Sequence, residues 1–341
     1  MNDKYEERIW YGRFGGCFVA DAFSSACDDY YKDYRNVVKS QKFWDEFYEL
    51  ESQCCSTTIE LCETDDNLRK YLCSENYYSI LGTSLLAKHL GKEKAVCGVR
   101  YVDEALVCAR ICKAIGLPLK LYLSADISNI STLRTELNLL GAETNDKMCK
   151  ELFNLPEMYA FQDWIAAPAN ISIVNCRCNA GAYPQSNIAM DFAKIYGEKL
   201  TAILSKEDKI QRTIIPCVSG SFAMGVIAPL ASTGMAIDTV ECDPIDGLSK
   251  ELDSYCGTFT VVMRDCCNDR ILAPALAELH ESGRVGRVIV PFKDIAETSA
   301  MPDSADNWSL QSRASVLYAE SKNYGKETAL LLRAVRWGSS L

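Results

Sequence analysis

Two short stretches carry the side chains best suited to chemistry. Arg100, Tyr101, Asp103 and Glu104 stand within five positions of one another, and Asn76 and Tyr77 stand together at the head of another segment. A guanidinium, phenols, carboxylates and an amide gathered in a cleft can act as acid, base or oxyanion donor toward a small organic molecule. The same residue types also suit a plainer task. Asp103 and Glu104 fall in the first turn of a predicted helix, where negative side chains complement the positive end of the helix dipole. A third stretch, Ser219-Gly220-Ser221, joins a predicted strand to a predicted helix, a place where backbone amides and hydroxyls can hold a phosphate. Ser-Gly-Ser makes an ordinary tight turn equally well.

Seventeen cysteines are present, but no CxxC pair occurs and only His89 and His280 are available to join them. No metal site is expected from that spacing. The odd count forbids complete intrachain pairing, so buried free thiols in a reducing compartment are the expectation. Cys108 and Cys112 lie one helical turn apart.

The elements that would position these residues read clearly in places. Leu81, Leu85, Leu86 and Leu90 recur at helical spacing, and Lys88, His89 and Gly91 supply a basic last turn and a glycine stop. Helices are predicted over Asp21–Tyr34 and Lys42–Leu50. Ala95–Gly98, Asp103–Ile115 and Leu119–Leu123 read as strand, helix and strand, with Gly116 ending the helix. A further helix runs from Leu133 to a stop at Gly141, and another from Ile188 to Gly197. Thr213–Val218 and Thr239–Asp243 are predicted strands. Strand–helix–strand alternation implies parallel sheets with helices on their faces.

Composition narrows the function classes. A chain of 341 residues can bury a sizeable core in two lobes, and 48% hydrophobic with 24% charged residues is ordinary for a globular protein. The formal charge of −10 argues against a nucleic-acid partner or a basic membrane face. The charged start, Met1 to Arg8, has no apolar core, and no apolar run of about 18 residues occurs, so a cytoplasmic protein without a membrane partner is expected.

The run Ile80-Leu81-Gly82-Thr83-Ser84-Leu85-Leu86-Ala87-Lys88-His89-Leu90-Gly91-Lys92 closely resembles the helix that follows the cofactor lysine in the tryptophan synthase β subunit, a fold-type II pyridoxal-phosphate (PLP) enzyme. Phe14-Gly15-Gly16-Cys17-Phe18-Val19 is similar to that family's opening. Gly181-Ala182-Tyr183-Pro184 and the segment through Gly197-Glu198 resemble its G-P-H-P-Y-P and the helix after it. Leu133 to Glu143 resembles R-M-x-L-M-G-A-E-V, and Thr239 to Pro244 a strand end of the family. The resemblance implies a two-lobed α/β fold: roughly 1–40 and 74–192 in one lobe, and 41–73 and 193–341 in the other, with a shortened C-terminus.

At the functional positions the chain departs from the family. Counted back from Leu81-Gly82, the Schiff-base lysine falls on Asn76, and an amide has no amine nucleophile to offer. Lys70 is the nearest lysine, six residues upstream. The acid-base glutamate and the carboxylate-gripping loop E-T-G-A-G-Q-H-G fall on Gly98 to Ala105, where none of the functional side chains is kept. Ser219, Gly220 and Ser221 keep one glycine of three in the phosphate loop. Glu320, in Leu317-Tyr318-Ala319-Glu320-Ser321, resembles the glutamate beside the cofactor ring, or is a solvated helix residue. The closing strand and its serine are unrecognisable; Ser339 and Ser340 lie nearest.

The expectation is therefore a retained fold without PLP or any other cofactor. On this reading the chain is a PLP-independent enzyme acting on a small molecule, with Asn76, Tyr77, Arg100, Tyr101, Asp103 and Glu104 as candidates. Two alternatives stay open: a non-catalytic partner subunit, and a PLP-dependent lyase with a displaced lysine. The resemblance also implies a homodimer.

Overall fold

The structure is a computed structural model. It describes residues 10–11, 14–15, 21–54, 59–65, 67–74, 77–99, 101–145, 156–174, 184–206, 210–217, 220–243, 276, 279–291, 294, 310–322 and 328–335. The candidates Asn76, Arg100 and Ser219 lie outside these residues, as do Ser339 and Ser340. The chain divides into two compact units. Unit 1 comprises Met1–Gly16, Thr57–Glu75 and Met190–Arg336; unit 2 comprises Cys17–Ser56, Asn76–Ala189 and Trp337–Leu341.

Unit 1 opens with a hairpin, β1 (Trp10–Tyr11) against β2 (Phe14–Gly15), where composition alone suggests a glycine-punctuated loop. Its main sheet has six strands: β3 (Ile59–Asp65), β4 (Leu68–Ser74), β9 (Ile210–Pro216), β10 (Ala236–Asp243), β11 (Gly286–Pro291) and β12 (Thr328–Val335). Their order is β11-β10-β9-β12-β4-β3, parallel throughout except for the edge hairpin β3–β4. Strand β12 sits between β9 and β4. It is a central strand in a segment that carries no recognisable family string.

Helix α10 (Leu310–Ser321) covers one face of this sheet. Ala314, Val316 and Ala319 pack against Leu68, Ile214, Val240 and Val290. Each large side chain buried this way contributes about 1.5–3 kcal/mol of hydrophobic stabilisation. Helices α8 (Gln185–Leu204) and α9 (Gly220–Leu230) approach closely at two glycines. A Cβ on Gly197 would lie 2.6 Å from the Val226 carbonyl oxygen, and one on Gly225 would lie 2.5 Å from the Ala193 Cβ.

Unit 2 is built on a four-stranded parallel sheet in the order β7-β6-β5-β8. The strands are β5 (Lys94–Val99), β6 (Leu119–Leu123), β7 (Ala142–Asn145) and β8 (Ile171–Ile173). Around it lie α1 (Asp21–Val37), α2 (Gln41–Cys54), α3 (Tyr77–His89), α4 (Val102–Ala114), a short α5 (Ala125–Ser128), α6 (Ser131–Leu139) and α7 (Pro156–Ala166). All residues of α3 from Tyr77 to Ala87 are buried, the signature of a helix enclosed on every side rather than amphipathic. It ends as expected: Gly91 takes φ +63°, and the Lys92 N–H donates to the Ala87 carbonyl at 3.0 Å. Among the described residues no helix is long and apolar enough to cross a membrane.

Candidate functional site

Parallel strands deliver all their C-terminal ends to one edge of a sheet, and in open α/β sheets ligands bind at that edge. In unit 1 this gathers three stretches that are far apart in sequence. Strand β4 ends at Ser74, two positions before Asn76, and Ser74 is paired in register with Val335 at the end of β12. Next to β12, strand β9 ends at Pro216, and α9 begins four residues later at Gly220. Ser221 is buried in the first turn of α9, and the Cys217 N–H is fixed on the Val240 carbonyl at 2.8 Å. The first N–H groups of a helix have no intrahelical partner and carry a partial positive charge, so Gly220 and Ser221 head a place fit for a phosphate.

Lys70 is not at that edge. It is the third residue of β4, in register with Leu331, and four residues short of Ser74, a span of about 13 Å along the strand. Only 3% exposed, it donates from Nζ to Glu320 Oε1 at 2.9 Å. Glu320 is exposed in the last turn of α10, the helix that leads into the start of β12. The structure thus places Glu320 on Lys70, near the start of the central strands. A second polar pin holds the same helix: Asp238 Oδ2 accepts from Arg212 Nη1 at 2.7 Å and from the Tyr318 hydroxyl at 3.2 Å. Burial, then the neighbouring Asp238 carboxylate, raises the Tyr318 phenol above its ordinary pKa.

In unit 2, Tyr101, Asp103 and Glu104 come together where β5 passes into α4. Tyr101 is the extended residue ahead of the helix (φ −127°, ψ 146°), and Asp103 and Glu104 occupy its first turn, with Glu104 buried. Tyr77 is buried at the start of α3, its ring edge-on to Tyr78 at 5.6 Å. One turn below Glu104, Cys108 donates to Cys97 with the sulfurs 3.7 Å apart, and Cys112 lies 3.7 Å from Ser84 Oγ. The hydrogen bond to Cys97, then burial, pushes the Cys108 thiol well above its ordinary value, and burial pushes Cys112 up to about 12. These are inert thiols. Among the described residues no group of three or more His, Cys, Asp or Glu is placed to hold a metal ion.

Gly98, at the position where the family carries its acid-base glutamate, has no room for a side chain. A Cβ there would sit 2.3 Å from the Glu157 nitrogen and 2.4 Å from the Pro156 carbonyl carbon. The backbone at the start of α7 fills the space that a glutamate would need.

No family model matches the chain. Solved structures do. A pyridoxal 5'-phosphate-dependent aspartate racemase is similar at TM-score 0.54 and 12% identity, covering 87% of this chain and 95% of its own. A threonine deaminase from T.th. is similar at TM-score 0.58 and 12% identity, covering 89% of this chain and 100% of its own. The protein has the α/β fold of the fold-type II PLP enzymes, parallel sheets flanked by helices. At 12% identity the likeness establishes fold and leaves activity open.

This finding stands against the expectation that the chain takes no cofactor: a racemase that shares its fold is PLP-dependent. The physical reason lies in what grips the cofactor. A phosphate can be gripped by backbone N–H groups at a helix start, and counting lost side chains does not register a grip of that kind. The residues fit that group at one end. Gly220 and the buried Ser221 suit the phosphate, while among the described residues no lysine stands at the C-terminal ends of β4, β9 or β12.

Proposed function

We propose that the protein is a divergent tryptophan synthase β-like member of the fold-type II class. It holds PLP by its phosphate at the head of α9, without a Schiff-base lysine at position 76, and takes a small amino-acid-like molecule as substrate. The observation that supports this reading is the strand–turn–helix from β9 to Gly220 and the buried Ser221, beside the ends of β12 and β4. When bound, PLP supplies an electron sink for chemistry next to an amino group. The chain supplies the rest. The first amides of α9 and the Ser221 hydroxyl orient the phosphate, and the adjacent strand ends set the depth at which the ring lies.

Titration of the purified protein with PLP tests the proposal, followed by absorbance and melting temperature. Saturable binding is expected, with at least tenfold loss in Ser221→Asp, which sets a carboxylate against the phosphate. Borohydride treatment and peptide mapping are expected to fix no cofactor on Lys70. Absence of binding to the wild type would overturn the reading. A second reading, a non-catalytic subunit, is favoured by Asn76 and Gly98, the positions where the resemblance expects an amine and a carboxylate. It holds if PLP binds and no amino acid is turned over. The resemblance also supports a homodimer, which sedimentation velocity reads directly.

A further inference from the structure

Three thiols meet in the core of unit 2, and neither the resemblance nor the phosphate site uses them. Cys97 lies on β5, Cys108 and Cys112 lie one turn apart on α4, and all three are reduced and at most 1% exposed. Cys108 donates to Cys97 across 3.7 Å, and Cys97 donates to the Gly98 carbonyl at 3.6 Å. Cys112 turns instead to Ser84 Oγ on α3. All of these residues belong to unit 2.

Geometry decides which pair can bond. Side chains four apart on a helix have Cβ atoms about 5–6 Å apart, whereas a disulfide holds them at about 3.8 Å. Cys108 and Cys112 are therefore kept apart by their own helix. Cys97 and Cys108 sit on different elements, and their sulfurs need approach by only about 1.7 Å to reach bonding distance. Helix shifts of about 1–2 Å are within the ordinary repertoire of packed elements. The product is uncharged, so surroundings that disfavour a thiolate do not oppose it. Burial holds the Cys108 thiol protonated and inert toward a reagent while α4 is seated. Local opening of α4 from β5 lifts that block, and re-closure returns the two sulfurs side by side.

We infer that Cys97 and Cys108 form a reversible disulfide that ties α4 to β5 when the chain meets a peroxide. In the opened state the Cys108 thiolate attacks one peroxide oxygen, the O–O bond breaks, and Cys108 becomes a sulfenic acid. The Cys97 thiolate then attacks that sulfur and displaces hydroxide, which leaves as water. Two thiols and one hydrogen peroxide thus give one disulfide and two waters, the sulfurs losing the two electrons that the peroxide gains. The bond closes a loop around the start of α4 and so restrains Tyr101, Asp103 and Glu104. Closing it pulls against a packed core, and a strained disulfide is readily reduced again.

Treatment of the full chain with hydrogen peroxide, alkylation of the remaining thiols and tryptic mapping without reductant test this. Cleavage after Arg100 and Arg110 puts the three cysteines on separate peptides. The expected product is a cross-link between the Cys97 and Cys108 peptides, removed by dithiothreitol. Hydrogen exchange of α4 amides should slow at least tenfold in the oxidised chain and recover on reduction. Cys108→Ser should abolish both the cross-link and the protection, and Cys112→Ser should keep both. A Cys108–Cys112 bond, a sulfinic acid at Cys108 without a cross-link, no modification of Cys97 or Cys108, or protection that persists in Cys108→Ser would each overturn the inference. Should a variant fail to fold, the map and the exchange of the wild type decide.

Discussion

Lys70 shows how a single residue can suggest one role in sequence and take another in the fold. As the nearest amine to Asn76 it is the natural substitute for the missing cofactor lysine. Its place in β4 instead commits it to Glu320. Lys70 is enclosed and Glu320 is largely solvated, so the two partners are not equivalent. Lys70→Met removes the buried charge and keeps the stem, and is expected to change stability by less than about 1 kcal/mol. Glu320→Ala deprives a buried ammonium of this carboxylate and is expected to cost about 1–3 kcal/mol. Urea unfolding of the two variants checks the order, and the reverse order would sink the assignment of a structural pair. That Lys70 lies on an extended segment is legible in the sequence. A partner 250 residues away is not, because nothing local in either segment encodes it.

At the scale of elements, helices with strong periodicity or stop signals are readable, and α3, α4 and α6 lie within a few residues of their expected bounds. Strand β12 is not readable through a family string, and its signal is instead the apolar run Leu330-Leu331-Leu332. Gly98 looks in sequence like a lost catalytic position, and the physical requirement it meets, close approach of α7, is invisible without the third dimension. One contact between elements makes a pH-dependent prediction. Asp163 on α7 accepts from Lys120 Nζ at 2.7 Å and from the Tyr122 hydroxyl, both on β6. Burial alone would raise the Asp163 pKa, but the hydrogen bonds from Lys120 and Tyr122 outweigh it and hold it below the ordinary value. Burial likewise opposes the Lys120 charge, and the same contacts leave its pKa raised. A depressed carboxylate stabilises the fold above its unfolded pKa of about 4, and this is lost as pH falls through the folded value. A raised lysine stabilises below about 10.4, and this is lost as pH rises through its folded value. Asp163→Asn removes both contributions. Its stability deficit against the wild type, about 1–2 kcal/mol near neutrality, is expected to shrink at both ends of the pH range. Chemical unfolding at pH 3, 7 and above 10 reads it, and a deficit constant with pH would show that the contact is not ionic.

For the whole molecule, the class of fold is legible because strand–helix–strand spacing and the segments resembling tryptophan synthase β agree. The assembly of the binding edge is not. Strand order β9-β12-β4 brings residues 74, 216 and 335 to one edge, and strand order is a property of the folded sheet that no local pattern specifies. That order also makes the proposed function testable without turnover. If phosphate is held at the head of α9, PLP stabilises the closed form of that turn, and local opening must first release the ligand. At a hundredfold excess over its dissociation constant, PLP should slow exchange of amides in the first turn of α9 and at the end of β9 by about a hundredfold where local opening governs exchange. Amides of β7, which belongs to unit 2, should exchange at unchanged rates. Hydrogen exchange of the full chain read by mass spectrometry resolves the two regions. Protection of β7 with none at residues 217–223 would place the cofactor elsewhere and leave Gly220 and Ser221 as an ordinary turn between a strand and a helix.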